Sequence, residues 1–344
     1  MDDVIRPLLS DLPGPHSAAA AAVLERADRA LRPAGALEQL DHLAAWLAGW
    51  QRSAHPAVNA PVAVLFVADH GVAARGVSAY PQSVTAAMLG ALRAGAATSS
   101  VMARSVGARL AVVDVGVGRP TADLTTEPAL SRECFMDCFQ RGRDAVSSLD
   151  ADVVALGEMG IGNTTSAAAV CAALFGVAAQ DAGRAGPDRL VNWVGRGTGV
   201  DDRAYARKVA AVEAATARVR PSSGPFEVLR QLGGAELAAA AGAVLEARRR
   251  SIPVVLDGFV VGAAVAPLEL SRPGALDHCL AGHCSSEPGH RMLLDELGKS
   301  PLLDLGLRLG EASGALAALP LLRLAAATAT KVATFEEWSL AGPR

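Results

Sequence analysis

A loop rich in glycine and hydroxyl residues, GEMGIGNTTSAAA at positions 157–169, is the first segment of the sequence that could do chemistry. The apolar run 152–156 before it is typical of a buried strand, and Asn163, Thr164 and Thr165 are residue types that begin helices. A strand that turns into a helix presents free backbone N–H groups and the positive end of a dipole, which bind phosphate. The loop matches neither a Walker sequence nor a dinucleotide fingerprint. On the loop alone, a phosphate site and a plain tight turn are equally consistent with the residues.

Glu311 is the second candidate, in the segment LDLGLRLGEASGALAALP at positions 303–320. It follows Gly310 and begins an apolar helix that has almost no other charge. Apolar surroundings raise the pKa of a carboxyl group towards the range that suits proton abstraction. A glutamate at a helix N-terminus also complements the helix dipole without any catalytic role, so both interpretations stay open.

A sheet must position these segments, because apolar runs alternate with helical patterns along the chain. The predicted strands are 62–68, 110–115, 152–156, 191–194, 253–257 and 276–282. The predicted helices are 83–106, 128–148, 164–175, 202–219, 235–250 and 287–298. This alternation predicts an α/β fold with a largely parallel, six-stranded, Rossmann-like sheet and helices on both faces.

Ligands of such sheets bind beyond the carboxyl ends of the strands. The segments that follow predicted strands are rich in glycine, polar and hydroxyl residues: 69–83, 116–118, 157–165, 195–202 and 257–259. Several loops of this chemistry along one edge predict a small-molecule site. Asp69 and His70, in the first of these loops, are interpreted as structural rather than as a metal or acid–base pair.

The two ends of the chain are predicted to combine into a small helical domain. Both are helical and rich in alanine, and Pro320 is expected to kink or divide its helix. We therefore predict a helical domain of residues 1–55 and 301–344 and a large α/β substrate-binding domain of residues 56–300.

Composition excludes several classes of function. Hydrophobic residues make up 51% of the 344 residues, charged residues 19%, and the net charge is −3. No basic run carries interleaved aromatic residues, so nucleic acid and anionic membranes are not expected as partners. The acidic start is unlike a signal peptide, and the apolar stretches are too short to span a bilayer. Five cysteines in such a chain predict free thiols in a reducing compartment, which favours the cytoplasm.

A cluster of histidines and cysteines invites a metal interpretation. His278, Cys279, His283, Cys284 and His290 lie close together in the sequence, but they lack the paired spacing of zinc sites. We therefore predict no metal and no cofactor.

Six motifs in order resemble the nicotinate-nucleotide:5,6-dimethylbenzimidazole phosphoribosyltransferase family, which makes α-ribazole phosphate for the lower ligand of cobalamin. They are ADHGVAARGVSAYPQSVTAAM, GEMGIGNTTSAAA, GRGTGVDD, IPVVLDGF, GHCSSEPGH and LRLGEASGALAALPLLR. The likeness runs from about Leu24 to residue 337 and so covers nearly the whole chain.

The resemblance implies a mechanism. A benzimidazole nitrogen attacks C1′ of nicotinate mononucleotide from the face opposite nicotinate, and the β bond becomes an α bond. The pyridinium leaving group becomes neutral as it departs and needs no general acid, whereas the benzimidazole N–H needs a base. Glu311 occupies the position of the family's catalytic base, and Glu158 is expected to stabilise charge that develops on the ribose.

The resemblance also implies substrate-binding residues. Tyr80 and Met88 are expected to line the pocket of the aromatic base. Lys208 is the expected cation for the phosphate. The other expected substrate-binding residues are Gln82, Gly160, Gly162, Asn163, Thr164, Thr165, Asp257, Gly258, Arg308 and Gly310. Members of the family are homodimers whose sites borrow groups from the partner, so a homodimer is implied.

Three departures from the family pattern bear on the acceptor. Segment 117–127 is short, Cys284 stands where arginine is common, and Ala312 stands where glycine is common, so its methyl group is expected to narrow the pocket. A purine, a phenol or another benzimidazole therefore stays open as the acceptor. Two rival classes also stay open: a nucleoside or nucleotide hydrolase that uses Glu158 and Glu311 as paired carboxylates, and a nucleotide-binding protein without turnover.

Overall fold

Six strands form one parallel sheet in the computed structural model, which describes residues 1–181 and 188–341. The strands are β1 Pro61–Ala68, β2 Arg109–Gly116, β3 Val153–Met159, β4 Val254–Leu256, β5 Cys279–His283 and β6 Pro301–Leu303. Their order is β2-β1-β3-β4-β5-β6, and every pair is parallel. The direction in which the chain adds strands reverses between β1 and β3, so the crevice for a ligand opens at the carboxyl ends of these strands.

Helices cover both faces of the sheet. They are α1 Asp2–Ile5, α2 Ser17–Arg29, α3 Glu38–Gln51, α4 Val84–Arg93, α5 Thr98–Ser105, α6 Arg132–Ser147, α7 Asn163–Asp181, α8 Asp188–Asn192, α9 Asp202–Arg218, α10 Pro225–Leu232, α11 Ala235–Arg249, α12 Phe259–Ser271, α13 Pro288–Glu296 and α14 Ser313–Lys331. Two 3₁₀ helices, Arg6–Leu9 and Gly71–Arg75, lie between them.

Strand β1 shows why the central strands are continuously apolar. Val62, Val64 and Phe66 pack into a core under α6, α7, α11 and α12, while Ala63 and Leu65 pack into a second core under α4, α5 and α14. Successive side chains point to opposite faces, so a strand covered on both faces needs apolar residues at every position. The predicted α/β class with a parallel sheet is confirmed.

One predicted strand is wrong and one strand was missed. Residues 191–194 form the end of α8 and the turn after it, and the sixth strand is Pro301–Leu303. A short buried apolar run has no period that separates a helix end from a strand. The missed strand has three residues and begins with proline, which is tolerated because it lies at the sheet edge.

The predicted helices also need correction. The single helix expected over 83–106 is two helices, α4 and α5, separated at Gly95, whose φ of 75° lies in the left-handed region. Helices α10 and α12 were not predicted at all.

The two ends of the chain meet in a small apolar cluster formed by α2, α3 and the last turns of α14, with Val23, Ala44 and Ala325 among its members. The first half of α14 instead covers the sheet, and β6 is a strand of that sheet rather than part of the terminal cluster. The domain boundaries at 55/56 and 300/301 stay a prediction, and residues 182–187 and 342–344 of those domains lie outside the described residues. Helix α14 is long and apolar enough to cross a membrane by length and composition, but 56% of its apolar window is buried inside the protein.

Candidate active site

A cavity of about 670 Å³ opens at the carboxyl ends of β3, β4 and β5. Its wall is formed by the loops after these strands, the loop before α14 and the beginning of α4. Ten of the fifteen predicted site residues lie on it: Tyr80, Met88, Glu158, Gly160, Asn163, Thr164, Gly258, Arg308, Gly310 and Glu311.

Glu311 is held on this wall by unusual backbone geometry. Gly310, Glu311 and Ala312 have φ angles of 80°, 58° and 61°, so three consecutive residues adopt the left-handed conformation. For the two residues other than glycine this conformation costs about 1–3 kcal/mol each, which the surrounding structure must offset. The Glu311 N–H donates to the carbonyl oxygen of Glu158 at 3.0 Å, so the segment before α14 is fixed to the end of β3.

Burial shifts the pKa of Glu311, which is 4% exposed. Loss of solvent raises the pKa of its carboxyl group, and the negative charge of Asp257 adds to this effect. Two hydrogen bonds from Ser99 oppose it; in one of them the Ser99 hydroxyl donates to Oε2 at 3.1 Å. A carboxyl group with a raised pKa and a polar anchor is a suitable general base.

Glu158, which is 7% exposed, is the second carboxyl group of the cavity. Burial raises its pKa well above the usual value, the charges of Glu236 and Asp257 raise it further, and a hydrogen bond from the Asn163 amide lowers it. A Cβ atom at Gly310 would lie 2.9 Å from Glu158 Oε1. Glycine at position 310 therefore lets the two carboxyl-bearing segments approach each other.

The glycine-rich turn between β3 and α7 forms the floor beside Glu158. Lys208, which is 1% exposed, lies beneath it on α9. Its Nζ donates to Thr164 Oγ1 at 2.8 Å and to the Gly195 carbonyl oxygen at 2.9 Å. Burial lowers the pKa of Lys208, whereas the negative charge of Glu287 raises it. A buried cation thus supports a turn whose backbone faces the cavity.

Five predicted site residues, Gln82, Gly162, Thr165, Lys208 and Asp257, do not line the cavity wall. Gly162, with a φ of 97°, forms the turn into α7, and Thr165 is buried behind it. Asp257 caps α14: its Oδ1 accepts from Gly314 N at 2.7 Å and Ala315 N at 3.1 Å. Asp257 therefore influences the cavity indirectly, because it fixes the N-terminus of the helix that follows Glu311.

Sequence reasoning missed several residues of this cavity. Gly197 and Thr198, on the loop before α9, and His283 and Glu287, after β5, line it. These residues lie in the motifs GRGTGVDD and GHCSSEPGH, so the family resemblance could have identified them as candidates. No motif marked Ser99, which reaches Glu311 only because α5 packs beside α14.

The three departures in sequence lie away from the cavity wall. The Ala312 side chain is fully buried in the core beneath α14 and does not line the cavity, so the expected narrowing by its methyl group is not found. Cys284 packs against Ala281 and Leu294. Segment 117–127 contributes to a different cavity, of about 520 Å³, beside β2 and α6. Within residues 1–181 and 188–341, no group of three or more His, Cys, Asp or Glu side chains is arranged to hold a metal ion.

Comparison with known proteins identifies the family. A family model described as a phosphoribosyltransferase, DBI_PRT, matches residues 12–339. The nicotinate-nucleotide–dimethylbenzimidazole phosphoribosyltransferase of Methylocella silvestris is 47% identical over 341 residues, which is 99% of this chain and 96% of the relative. The protein of the same name from Allorhizobium ampelinum is 45% identical over 336 residues, which is 97% of this chain and 95% of the relative.

Solved structures agree with the sequence relatives. The crystal structure of CobT from Thermus thermophilus matches with a TM-score of 0.87 and 40% identity over 95% of this chain and 100% of that chain. A second structure, of the nicotinate-nucleotide–dimethylbenzimidazole phosphoribosyltransferase from the same organism, has a TM-score of 0.84 and 38% identity, with 95% of this chain and 99% of that chain covered. The chain therefore belongs to the nicotinate-nucleotide–dimethylbenzimidazole phosphoribosyltransferase family.

Proposed function

We propose that the protein transfers the 5-phosphoribosyl group of nicotinate mononucleotide to 5,6-dimethylbenzimidazole and releases α-ribazole 5′-phosphate and nicotinate. One observation carries the proposal: two buried carboxyl groups with raised pKa values, Glu158 and Glu311, face the same cavity as the amide-lined turn 160–164. In a phosphoribosyltransferase this arrangement provides a base, a counter-charge for the ribose and a phosphate cradle side by side.

Glu311 is the base in the proposed reaction. One nitrogen of the benzimidazole forms the new bond to C1′, and the electron pair of the old C1′–N bond passes to the pyridine nitrogen of nicotinate. The proton on the other benzimidazole nitrogen passes to the Glu311 carboxylate. Ser99 holds Oε2 during this step, so that the remaining oxygen faces the acceptor. Attack opposite nicotinate inverts C1′ and gives the α product.

Glu158 stabilises the ribose in the proposed transition state. Positive charge develops on the ring oxygen and C1′ as the bond to nicotinate breaks. A buried carboxylate interacts strongly with such a charge, and Asn163 holds Glu158 in place. Because burial disfavours the Glu158 anion, this anion is stabilised most when the positive charge appears beside it.

The turn between β3 and α7 holds the donor phosphate in this proposal. The N–H groups of Gly162 and Thr164 and the Thr164 hydroxyl supply donors, and the N-terminus of α7 supplies a partial positive charge. Lys208 adds a full charge from beneath Thr164. Gly162 and Thr165 act by shaping the turn.

The acceptor lies between the turn and the beginning of α4. Tyr80 and Met88 offer a flat ring and a polarizable thioether to a planar heterocycle, and Gln82 precedes α4 near them. The remaining predicted residues border the site: Gly258, Arg308 and Gly310 on its wall, and Asp257 through α14. The reaction needs no cofactor.

We also propose a cytoplasmic homodimer. Exposed apolar side chains support the dimer: Tyr80 and Leu309, which line the cavity, are 51% and 42% exposed, and Leu305, which precedes the lining residue Gly306, is 61% exposed. The five free cysteines support a reducing compartment. Light scattering of the purified protein tests the dimer, and a monomer at micromolar concentration would contradict it.

Incubation with nicotinate mononucleotide, with and without dimethylbenzimidazole, tests the reaction. We expect nicotinate release that depends on the acceptor, together with α-ribazole phosphate. Release without acceptor would instead indicate hydrolysis, and no release with any acceptor would contradict the proposal. A panel that includes adenine, phenol and unsubstituted benzimidazole then ranks the acceptors by kcat/KM.

A further inference from the structure

A buried ionisable pair lies outside the cavity wall and has no part in the proposed chemistry. His70 and Glu236 are both fully buried, and His70 Nε2 lies 2.5 Å from Glu236 Oε1. The second oxygen, Oε2, has no hydrogen-bond partner among the described residues. Ionisable pairs in an apolar interior seldom stabilise a fold more than apolar residues would, because both groups must leave water. Stability alone therefore does not explain the pair.

A third side chain extends the pair to the phosphate turn. The Ser166 hydroxyl, in the first turn of α7, lies 3.0 Å from His70 Nδ1. If Nε2 carries the ring proton and donates to Glu236, then Nδ1 accepts from Ser166, and both ring nitrogens are satisfied. These three residues, the buried network, join the loop after β1, the beginning of α7 and the beginning of α11.

The backbone of the turn rests directly on the buried network. A Cβ atom at Gly160 would lie 3.2 Å from His70 Cδ2, 3.3 Å from Glu236 Oε1 and 2.7 Å from the Ala68 carbonyl oxygen. A Cβ atom at Gly234 would lie 2.3 Å from His70 Cε1 and 2.6 Å from Glu236 Oε2. Only glycine fits at both positions. Contact at Gly160 and the hydrogen bond at Ser166 thus fix the turn at both of its ends.

We propose that His70, Glu236 and Ser166 are positioning residues, which hold the turn 160–165 in the conformation that binds the sugar phosphate of the donor. The inference rests on the proposed placement of that phosphate. The buried network is expected to act on the donor side of the cavity, because it contacts the turn directly at Gly160 and Ser166. On the acceptor wall, Tyr80 lies ten positions beyond His70 in the loop after β1, and Met88 lies in α4. Glu236 also raises the pKa of Glu158 by its charge, so the same residue acts on both ends of the donor ribose.

Two variants separate positioning from general stability. Ser166→Ala removes one hydrogen bond and little volume, and Glu236→Gln keeps the shape of the side chain but removes its charge. We expect Ser166→Ala to raise KM for nicotinate mononucleotide by about three- to tenfold, as the loss of one hydrogen bond implies. Glu236→Gln should raise the same KM, because a neutral amide oxygen accepts the hydrogen bond from His70 Nε2 more weakly than a carboxylate does. KM for dimethylbenzimidazole is expected to stay within twofold. Thr334→Val is the matched control, because it removes a buried hydroxyl that accepts from Glu337 N, far from the cavity.

A third variant distinguishes a failure of the positioning role from a failure of the proposed phosphate site. Thr164→Val removes the hydroxyl of a residue that lines the cavity and is proposed to bind the phosphate, so it should also raise KM for the donor. If Thr164→Val raises that KM while Ser166→Ala leaves it unchanged, the positioning role is wrong and the phosphate placement stands. If neither variant changes it, the phosphate placement is wrong and the inference is lost with it. An equal rise in both KM values for Ser166→Ala would mark a loss of structure and would also refute positioning.

Discussion

Replacing Glu311 with glutamine tests the central step of the reaction with little change in shape. The amide has the size of the carboxylate, and its oxygen can still accept the hydrogen bond that Ser99 donates at 3.1 Å. The left-handed backbone at 311 is held by the hydrogen bond from Glu311 N–H to the Glu158 carbonyl oxygen, which the substitution does not remove. Glu311→Gln therefore keeps the cavity and removes the proton acceptor.

The expected loss of turnover follows from the role of a positioned base. Proton transfer to such a group accelerates reactions by about 10²–10⁴-fold, so kcat should fall by that factor. This corresponds to about 3–5 kcal/mol of activation free energy. The KM values of both substrates should change by no more than about threefold, because the substitution removes an interaction that matters in the transition state.

The same variant should gain stability at neutral and alkaline pH. Burial raises the pKa of Glu311 above its usual value of 4.5, so between 4.5 and the raised pKa the folded protein binds more protons than the unfolded chain. The free energy of unfolding therefore falls as pH rises through this window. Glutamine does not titrate, so Tm of Glu311→Gln should exceed that of the parent protein at pH 8, and the difference should shrink at pH 4.5.

Two measurements check this reasoning. Chromatography of nicotinate and α-ribazole phosphate under saturating substrates gives kcat, and thermal unfolding at pH 4.5 and pH 8 gives Tm. Glu311→Asp is the control that keeps a carboxylate but retracts it. Turnover of Glu311→Gln within tenfold of the parent protein would refute the role of Glu311 as base. A lower Tm at pH 8 would refute the charge state argued from burial.

Three further predictions concern the groups around the base. Gly310→Ala places a Cβ atom 2.9 Å from Glu158 Oε1 on a residue whose φ is 80°. We expect the unfolding free energy to fall by about 1–2 kcal/mol and kcat to fall as well, and an unchanged Tm would show that the alanine causes no backbone strain. Lys208→Met removes the ammonium donor to Thr164, so KM for nicotinate mononucleotide should rise about tenfold or more while KM for the acceptor stays constant. Steady-state kinetics measure both KM values, and an equal rise in both would count against a phosphate role. Ser99→Ala removes a hydrogen bond that lowers the pKa of Glu311, so the acidic limb of the pH profile of kcat/KM should move to higher pH. An acidic limb that does not move would mean that Glu311 does not control it.

The sequence alone determined the architecture and the chemistry of the separate loops. Continuous apolar runs predicted strands buried on both faces, because a parallel sheet covered by helices has no solvent side. The glycine-rich turn at 157–165 and the acid at 311 were visible as motifs, since their residue types have local physical roles. Five of the six strands were found in this way, and the short edge strand at Pro301–Leu303 was missed because three residues carry no period.

Only the tertiary structure decided which groups act on each other. Ser99 and Glu311 are 212 positions apart, and His70 and Glu236 are 166 apart, so no local pattern could pair them. Burial likewise depends on what packs over a residue: the same fold that placed Lys208 beneath the turn turned the Ala312 methyl into the core and away from the ligand. Residue type fixes what a group can do, but solvent exclusion and the identity of its neighbours, which set its pKa and its partner, arise only when distant segments meet.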